Sequence, residues 1–400
     1  MTDPADVDAD WLNAALGTHV TSLRDPVDAW RASGCAALSD PSQFDPSQFD
    51  PSQFDPPQAL LNAVGFAIRA AHSIMRSSAL LGWTVAVDGP ALLAQRAAQT
   101  PARWTQASSR NGTTRFIRSA DGWVSFTISR EDDTDLLAAC FEADFPRSAE
   151  PWSHIARLSA SLSSRHIRER ATLLGLSCAV LGEHRHSPLA SAHVRHITRR
   201  DTAPATEGLT TPTEFTVLDL SALWAGPLCA HLLHQSGGDV TFVEDPTRPD
   251  GTRIGAPSFF DALHSGHRSL QIDLRSAAGQ QQLSDLLAGA DVVITSARPR
   301  AFQQMGINPL AVMTANPVQA WISVSGFGAV QPDRVGFGDD AAIAGGLYGG
   351  TAQQPTFIGD AIADPLTGMT GAAIALYAIV TARRVHVDLP LAAVAALAAR

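Results

Sequence analysis

The sequence contains no lysine, so all 29 of its Lys and Arg positions are arginines. This absence excludes Schiff-base chemistry and the lysine of a phosphate-binding P-loop. Any phosphate group that the chain binds must therefore be held by arginine side chains or by backbone N–H groups.

Cysteine is also scarce, and the four cysteines form no CxxC pair: they are Cys35, Cys140, Cys178 and Cys229. This spacing is typical of reduced intracellular thiols. The N-terminus is acidic and polar and shows no signal peptide, so we expect a cytoplasmic protein. The 13 histidines show no HExxH pattern, and we expect no metal site.

Basic residues are fewer than acidic ones, so the net charge is −10 and the sequence pI is about 5.7. The composition therefore gives no indication of a nucleic-acid or anionic-membrane partner. Residues 365–382 form an uncharged run long enough to test as a membrane span. The run begins with a proline and contains three threonines and two glycines, so we expect a buried helix instead.

Two stretches divide the chain. Residues 40–58 (DPSQFDPSQFDPSQFDPPQ) repeat a pentapeptide whose prolines prevent a helix, which indicates a loop without chemistry. Residues 201–213 are polar and rich in Pro and Thr, which favours a domain boundary. We therefore predict an N-terminal region at 1–205, a linker at 206–214 and a C-terminal domain at 215–400.

The two predicted regions differ in pattern. The N-terminal region has helical segments and a hairpin signal, TTRFIRSADGWVSFTI (113–128), which indicates an α+β fold. The C-terminal region alternates strands such as FTVLDLS, DVTFVED and DVVITSA with amphipathic helices. This alternation predicts an α/β fold with a Rossmann-like, doubly wound parallel sheet, which binds ligands at the carboxyl ends of its strands.

Asp364 and Pro365 stand where the uncharged run begins, and they suit the N-cap and the first position of a helix, respectively. Capping alone would explain Asp364. We expect Asp360, in the loop just before this helix, to accept hydrogen bonds rather than to act as a second catalytic residue.

A long collinear stretch resembles a known family. VLDLSALWAGPLCAHLLHQSGGDVTFVEDPTRPDGTR (217–253), then NPVQAWISVSGFG, GFGDDAAIAGGLYGG and IADPLTGMTGA, are similar to the family III CoA-transferases, the CaiB/BaiF group of carnitine and bile-acid CoA-transferases. The resemblance covers roughly residues 215–390. Segments of the N-terminal region resemble what normally follows the catalytic part, so either the family's order is rearranged here or the chain keeps the tail of one copy and the head of another.

The resemblance implies that Asp364 is the nucleophile that attacks an acyl-CoA thioester, passing through a mixed anhydride to an aspartyl-CoA thioester. Coenzyme A and carboxylic acids are then the expected substrates, and an interlocked homodimer or a partner chain is expected, in lipid or carnitine metabolism. The expected coenzyme A contacts are Trp224, Ala225, Gly226, Arg248, Arg253, Ile272, Ser296, Ala297 and Arg298.

Several positions depart from the family. Asp245 and Gln304 stand where relatives often have basic residues, and Asp339 stands where the racemase branch has a histidine. These departures favour one alternative, a non-catalytic acyl-CoA-binding homologue or subunit. A second alternative, a 2-methylacyl-CoA racemase-like enzyme, is disfavoured by the missing histidine.

Overall fold

The computed structural model describes residues 14–16, 25–32, 57–100, 108–145, 150–186, 193–196, 214–297 and 299–400. Most of the pentapeptide repeat and of the predicted linker lies outside these residues. The described helices are α1 (Pro26–Ala32), α2 (Gln58–Leu80), α3 (Gly89–Leu93), α4 (Leu137–Phe141), α5 (Trp152–Ser159), α6 (Ser164–Leu174), α7 (Ala225–Gln235), α8 (Gly251–Gly255), α9 (Pro257–Leu263), α10 (Ala277–Ala288), α11 (Pro299–Gln304), α12 (Pro309–Ala315), α13 (Gly338–Gly345), α14 (Ala363–Val380) and α15 (Leu391–Ala398).

The described strands form three sheets. They are β1 (Thr114–Arg118), β2 (Trp123–Thr127), β3 (Ser177–Val180), β4 (His193–His196), β5 (Phe215–Leu220), β6 (Gly238–Glu244), β7 (Arg268–Gln271), β8 (Val292–Thr295), β9 (Ala320–Ser325), β10 (Gly349–Gly350), β11 (Pro355–Thr356) and β12 (Val385–Pro390).

The central sheet has seven strands in the order β4-β12-β9-β8-β5-β6-β7. All neighbouring pairs from β12 to β7 are parallel, and β4 pairs antiparallel with β12. Counted from β5, the parallel strands lie in the order third, second, first, fourth, fifth, sixth, which is the doubly wound arrangement. The predicted α/β class and parallel sheet are therefore confirmed, and the order reverses between β5 and β8.

Strand β8 is buried along its whole length and consists of Val, Val, Ile and Thr. β-branched residues favour strands, and a continuous apolar run suits a strand with both faces covered. The predicted strands of this region all form, within a few residues of the expected bounds.

The uncharged run forms α14, which packs against α2, α7 and α15. By length and composition α14 could cross a membrane, but 83% of it is buried inside this molecule. A β-carbon on Gly368 would lie 2.7 Å from the carbonyl oxygen of Ala225, so glycine at this position permits the close approach of α14 to α7. The run is thus a core helix here.

The N-terminal region forms the antiparallel sheet β1-β2-β3, and its first two strands are the predicted hairpin. This sheet is joined to α13 through Asp340, which is completely buried. The carboxylate of Asp340 accepts hydrogen bonds from the hydroxyls of Ser125 (3.1 Å), Thr127 (2.8 Å) and Ser177 (2.5 Å). The two regions therefore share a polar contact directly beside Asp339.

Candidate active site

Asp364 lies in the first turn of α14, which begins at Ala363 with Ile362 as its N-cap residue. The helix thus starts earlier than the sequence predicted, and Asp364 is not its N-cap. Instead, its carboxylate lies against the backbone of Gly338, the first residue of α13, whose N–H lowers the pKa of Asp364. The positive end of a second helix therefore faces this carboxylate.

The approach of Gly338 to Asp364 is close. A β-carbon on Gly338 would lie 2.2 Å from Oδ2 of Asp364 and 2.6 Å from the carbonyl oxygen of Ala361. Only glycine fits there, because its missing side chain leaves room for the carboxylate.

Two further carboxylates lie around Asp364. Asp360 is 1% exposed and Asp339 is 6% exposed, whereas Asp364 keeps partial contact with solvent. Oδ1 of Asp339 accepts a hydrogen bond of 3.0 Å from the N–H of Ala361. Ala361 has a φ of 44°, in the left-handed region that non-glycine residues rarely adopt, so this bond holds a strained turn just before α14.

Asp360 is held by an arginine from the N-terminal region. Nε and Nη2 of Arg96 donate to the two carboxylate oxygens of Asp360 at 2.9 and 2.5 Å. The guanidinium also lies over the ring of Trp224, with Cζ 4.8 Å from the ring centroid. A bidentate pair with a stacked face fixes the arginine in both distance and orientation.

The charges of this cluster act on one another. Burial raises the pKa of Asp364 to about 7; Asp360 adds to the increase, whereas Arg96 and the N–H of Gly338 oppose it. Burial and Asp360 also raise the pKa of Asp339 to about 7. For Arg96, burial alone would lower the pKa, but Asp360, Asp339 and Asp364 together raise it. Asp364 and Asp339 therefore titrate near neutral pH, in the range suited to acid–base and nucleophilic work.

Three buried polar atoms near the cluster have no hydrogen-bond partner within the described part of the chain: Gln95 Oε1, Trp224 Nε1 and Thr367 Oγ1. Gln95 precedes Arg96, Trp224 lies beneath it, and Thr367 is three residues beyond Asp364. Buried polar groups are nearly always paired in proteins, so these three atoms need a water or ligand partner.

A cavity of about 140 Å³ opens at the carboxyl ends of β5, β6 and β8, where the strand order reverses. Arg248 and Ala297, both predicted coenzyme A contacts, line it together with Leu220, Ser221, Ala222, Phe242, Val243, Glu244, Asp245, Asp250, Leu274, Leu283, Phe302 and Met305. Ser296 lies beside it, and its hydroxyl accepts a hydrogen bond of 3.0 Å from the N–H of Ala222. The cavity has mostly apolar walls, one exposed arginine (Arg248) and three acidic residues (Glu244, Asp245 and Asp250).

The other predicted contacts lie elsewhere. Arg253 is paired with Glu244 and stacked on Phe260, 4.1 Å from the ring centroid, so its charge is already compensated. The side chain of Ile272 packs in the core, and its N–H donates to the carbonyl of Glu244.

Ala225 and Gly226 are buried at the start of α7. A β-carbon on Gly226 would lie 2.1 Å from Oγ of Ser221, so this glycine serves packing. Trp224 belongs with Arg96 rather than with the cavity, and Arg298 lies outside the described residues.

Arg96 is the site residue that sequence reasoning missed. It stands in GPALLAQRAA, an ordinary helical pattern with no motif, and 264 residues separate it from Asp360. Within the described residues, no group of three or more His, Cys, Asp or Glu is arranged to hold a metal ion.

Residues 213–397 match the family model described as CoA-transferase family III. The matched segment amounts to a little under half of the chain. It includes Asp339, Asp360, Asp364 and the whole cavity, whereas Arg96 lies outside it.

Curated relatives carry CoA-transferase names. The chain is 34% identical over 175 residues to succinyl-CoA–D-citramalate CoA-transferase of Chloroflexus aurantiacus, covering 41% of this chain and 44% of the relative. It is 28% identical to succinate–glutarate CoA-transferase of Agrobacterium fabrum (44% and 49%) and 28% identical to formyl-CoA:oxalate CoA-transferase of Escherichia coli (38% and 40%). The chain thus spans less than half the length of these relatives.

A solved structure of a CaiB/BaiF family protein from Brucella suis matches 46% of this chain and 53% of its own, with 28% identity and a TM-score of 0.43.

Proposed function

We propose that the protein transfers coenzyme A between carboxylic acids, with Asp364 as the carboxylate that attacks the thioester. The main support for this proposal is that Asp364 keeps partial contact with solvent. Its acidic neighbours Asp339 and Asp360 are buried, and their carboxylates already accept hydrogen bonds from the protein. Asp364 also lies in the segment that matches the model of CoA-transferase family III.

The proposed reaction balances as two exchanges. The Asp364 carboxylate attacks the donor's thioester carbon, the C–S bond breaks, and a mixed anhydride and CoA thiolate form. The thiolate then attacks the aspartyl carbonyl of the anhydride, which gives an aspartyl-CoA thioester and releases the donor acid as a carboxylate. The acceptor carboxylate repeats these steps in reverse, which yields the new thioester and restores Asp364.

The surroundings suit this chemistry. A carboxylate with a pKa near 7 is ionised in about half of the molecules at neutral pH, and it is more nucleophilic than an ordinary Asp carboxylate because it is more basic. The positive end of α13 and the charge of Arg96 favour the anionic form and the negative charge that develops during attack. We assign the cavity lined by Arg248 and Ala297 to the nucleotide end of coenzyme A.

The substrate class follows from the relatives, whose names include succinyl-CoA, succinate, glutarate and oxalate. We therefore propose short dicarboxylic acids as donors or acceptors. The cytoplasm and a homodimer, or assembly with a partner chain, are further proposals based on the family resemblance, and sedimentation analysis of the purified chain tests the assembly.

The test is capture of the covalent intermediate. The protein is incubated with succinyl-CoA, formyl-CoA and other acyl-CoA thioesters and then with hydroxylamine, and the modified residue is mapped by peptide mass spectrometry. We expect a hydroxamate on Asp364, none in Asp364→Asn, and an unchanged yield in Asp261→Asn, which alters an exposed Asp on α9. No adduct with any thioester, together with a rise in melting temperature on adding CoA, would instead identify a non-catalytic CoA-binding protein.

A second candidate is proton exchange at the α-carbon of an acyl-CoA, as in the racemase branch. It is favoured by the pKa of about 7 at Asp339, which stands where that branch has its histidine. Incorporation of solvent deuterium into a 2-methylacyl-CoA, lost in Asp339→Asn, would support it.

A further inference from the structure

We infer that Arg96 is a positioning residue for the proposed reaction: its bidentate ion pair holds the Asp360 loop, and its charge lies among the carboxylates of Asp339, Asp360 and Asp364. This inference rests on the proposed function. It makes the N-terminal region, which lies outside the family segment, a part of the site.

The position of Arg96 is fixed by its own region. It follows α3, which is capped by Asp88 through a 3.1 Å hydrogen bond from the N–H of Ala91. A β-carbon on Gly89 would lie 2.2 Å from the carbonyl oxygen of Ala67, so the glycine lets α3 lie directly on α2. Both helices also pack against α14, the helix that carries Asp364.

A second arginine fixes the turn after Arg96. Nη2 of Arg110 donates to the carbonyl oxygens of Ala97 (2.7 Å) and Thr100 (3.2 Å). The turn that presents Arg96 is thus tied to the start of the β1–β2 hairpin. Contacts within the N-terminal region therefore fix the position of Arg96, and its guanidinium binds Asp360 in the C-terminal region.

The consequence for Asp364 is electrostatic. Arg96 lowers the pKa of Asp364 and Asp360 raises it, so the ion pair acts on Asp364 through two opposed charges. Three other charged groups lie near the pair. Asp339 interacts with Arg96, Asp340 interacts with Asp339, and Arg110 interacts with both Asp360 and Arg96. Removing either partner of the pair therefore shifts the ionisation of Asp364 in a direction that depends on which partner is lost.

The experiment compares Arg96→Gln, Arg96→Lys and Asp360→Asn with the wild-type chain. The Asp364 resonance, assigned by its loss in Asp364→Asn, is titrated by NMR with ¹³C at the Asp carboxyl carbons. We expect Arg96→Gln to raise the titration midpoint by about one pH unit or more, a roughly tenfold change in ionisation. Asp360→Asn should lower it, and Arg96→Lys should stay closer to wild type than Arg96→Gln because it keeps the charge.

Hydroxylamine capture is measured on the same variants as a function of pH. The same opposed shifts in the pH dependence of adduct formation would support the positioning role. Equal titration midpoints in all variants, even with reduced melting temperatures, would overturn it and leave Arg96 as a structural ion pair. Opposed NMR shifts without any adduct in the wild-type chain would support the electrostatic effect of Arg96 on Asp364 but refute the proposed transfer of CoA. Failure of the positioning role and failure of the proposed function therefore give different results.

Discussion

Gly338 and Asp364 lie in a contact that a side chain at position 338 would prevent, because a β-carbon there would stand 2.2 Å from Oδ2 of Asp364. The glycine begins α13, and its backbone N–H lowers the pKa of that carboxylate. One residue thus provides space for the proposed nucleophile and favours its anionic form.

We expect Gly338→Ala to abolish hydroxamate formation at Asp364, because the added methyl group displaces the carboxylate or the strained turn at Ala361. Mass spectrometry of the trapped protein measures the loss. Gly122→Ala is the matched control, since a β-carbon there meets nothing within 4 Å. Normal adduct formation in Gly338→Ala would show that the site tolerates a shift of α13 and would contradict the close packing.

Replacing the proposed nucleophile should stabilise the protein. The pKa of Asp364 is about 7 in the fold and near 3.8 in the unfolded chain. Between these values the folded state holds a proton that the unfolded state has lost, so the free energy of unfolding falls as pH rises from about 4 to 7. Asp364→Asn removes this effect.

The shift of roughly three pH units corresponds to about 4 kcal/mol, and the solvent access of Asp364 reduces this to about 2 kcal/mol. We therefore expect Asp364→Asn to unfold at higher urea concentration than wild type at pH 8, and the difference to vanish near pH 4. Asp261→Asn, on an exposed position, should show no such pH-dependent gain. A variant that is less stable than wild type at pH 8 would mean that the carboxylate is better solvated than its surroundings indicate.

The sequence allowed prediction of the sheet but only part of the site. Strands such as β8 could be predicted because burial on both faces demands a short run of β-branched residues, which is a local property. Asp364 was predicted as the nucleophile through the family resemblance of its motif. The ion pair between Arg96 and Asp360 joins residues 264 positions apart and depends on how α3 lies on α2, and no local pattern encodes that geometry.

Arg253 also has a partner that the sequence does not reveal. An arginine in a loop after a strand resembles a phosphate ligand, but folding brings Glu244 and Phe260 against it. The partner that neutralises a charge is a tertiary property, so a sequence alone overestimates the number of available arginines.

Asp340 should be a strong determinant of the contact between the two regions. Its carboxylate accepts hydrogen bonds from three buried hydroxyls, on Ser125, Thr127 and Ser177. Asp340→Ala leaves these hydroxyls without their acceptor, and we expect a loss of about 3 kcal/mol in the free energy of unfolding. Urea denaturation measures it, with the exposed Asp261→Ala as control; a loss below about 1 kcal/mol would mean that the hydroxyls find other acceptors.

His267 should make the fold sensitive to acid, because three other histidines surround it. The ring of His267 lies 5.3 to 6.0 Å, centroid to centroid, from those of His231, His234 and His264. Burial, followed by the three neighbouring imidazoles, lowers the pKa of His267 to about 3. Both of its ring nitrogens are buried and have no hydrogen-bond partner among the described residues.

The sign follows from proton binding. Between about pH 3 and the ordinary histidine pKa near 6.5, the unfolded chain holds a proton on His267 that the folded chain excludes, so stability falls as pH decreases below 6.5. This group contributes at most about 1.4 kcal/mol per pH unit, and solvent near the ring reduces that slope. We expect His267→Gln to lose less stability than wild type between pH 6.5 and 4.5 in urea denaturation. The exposed His166→Gln should retain the wild-type slope; equal slopes in all three proteins would show that His267 is protonated within the fold.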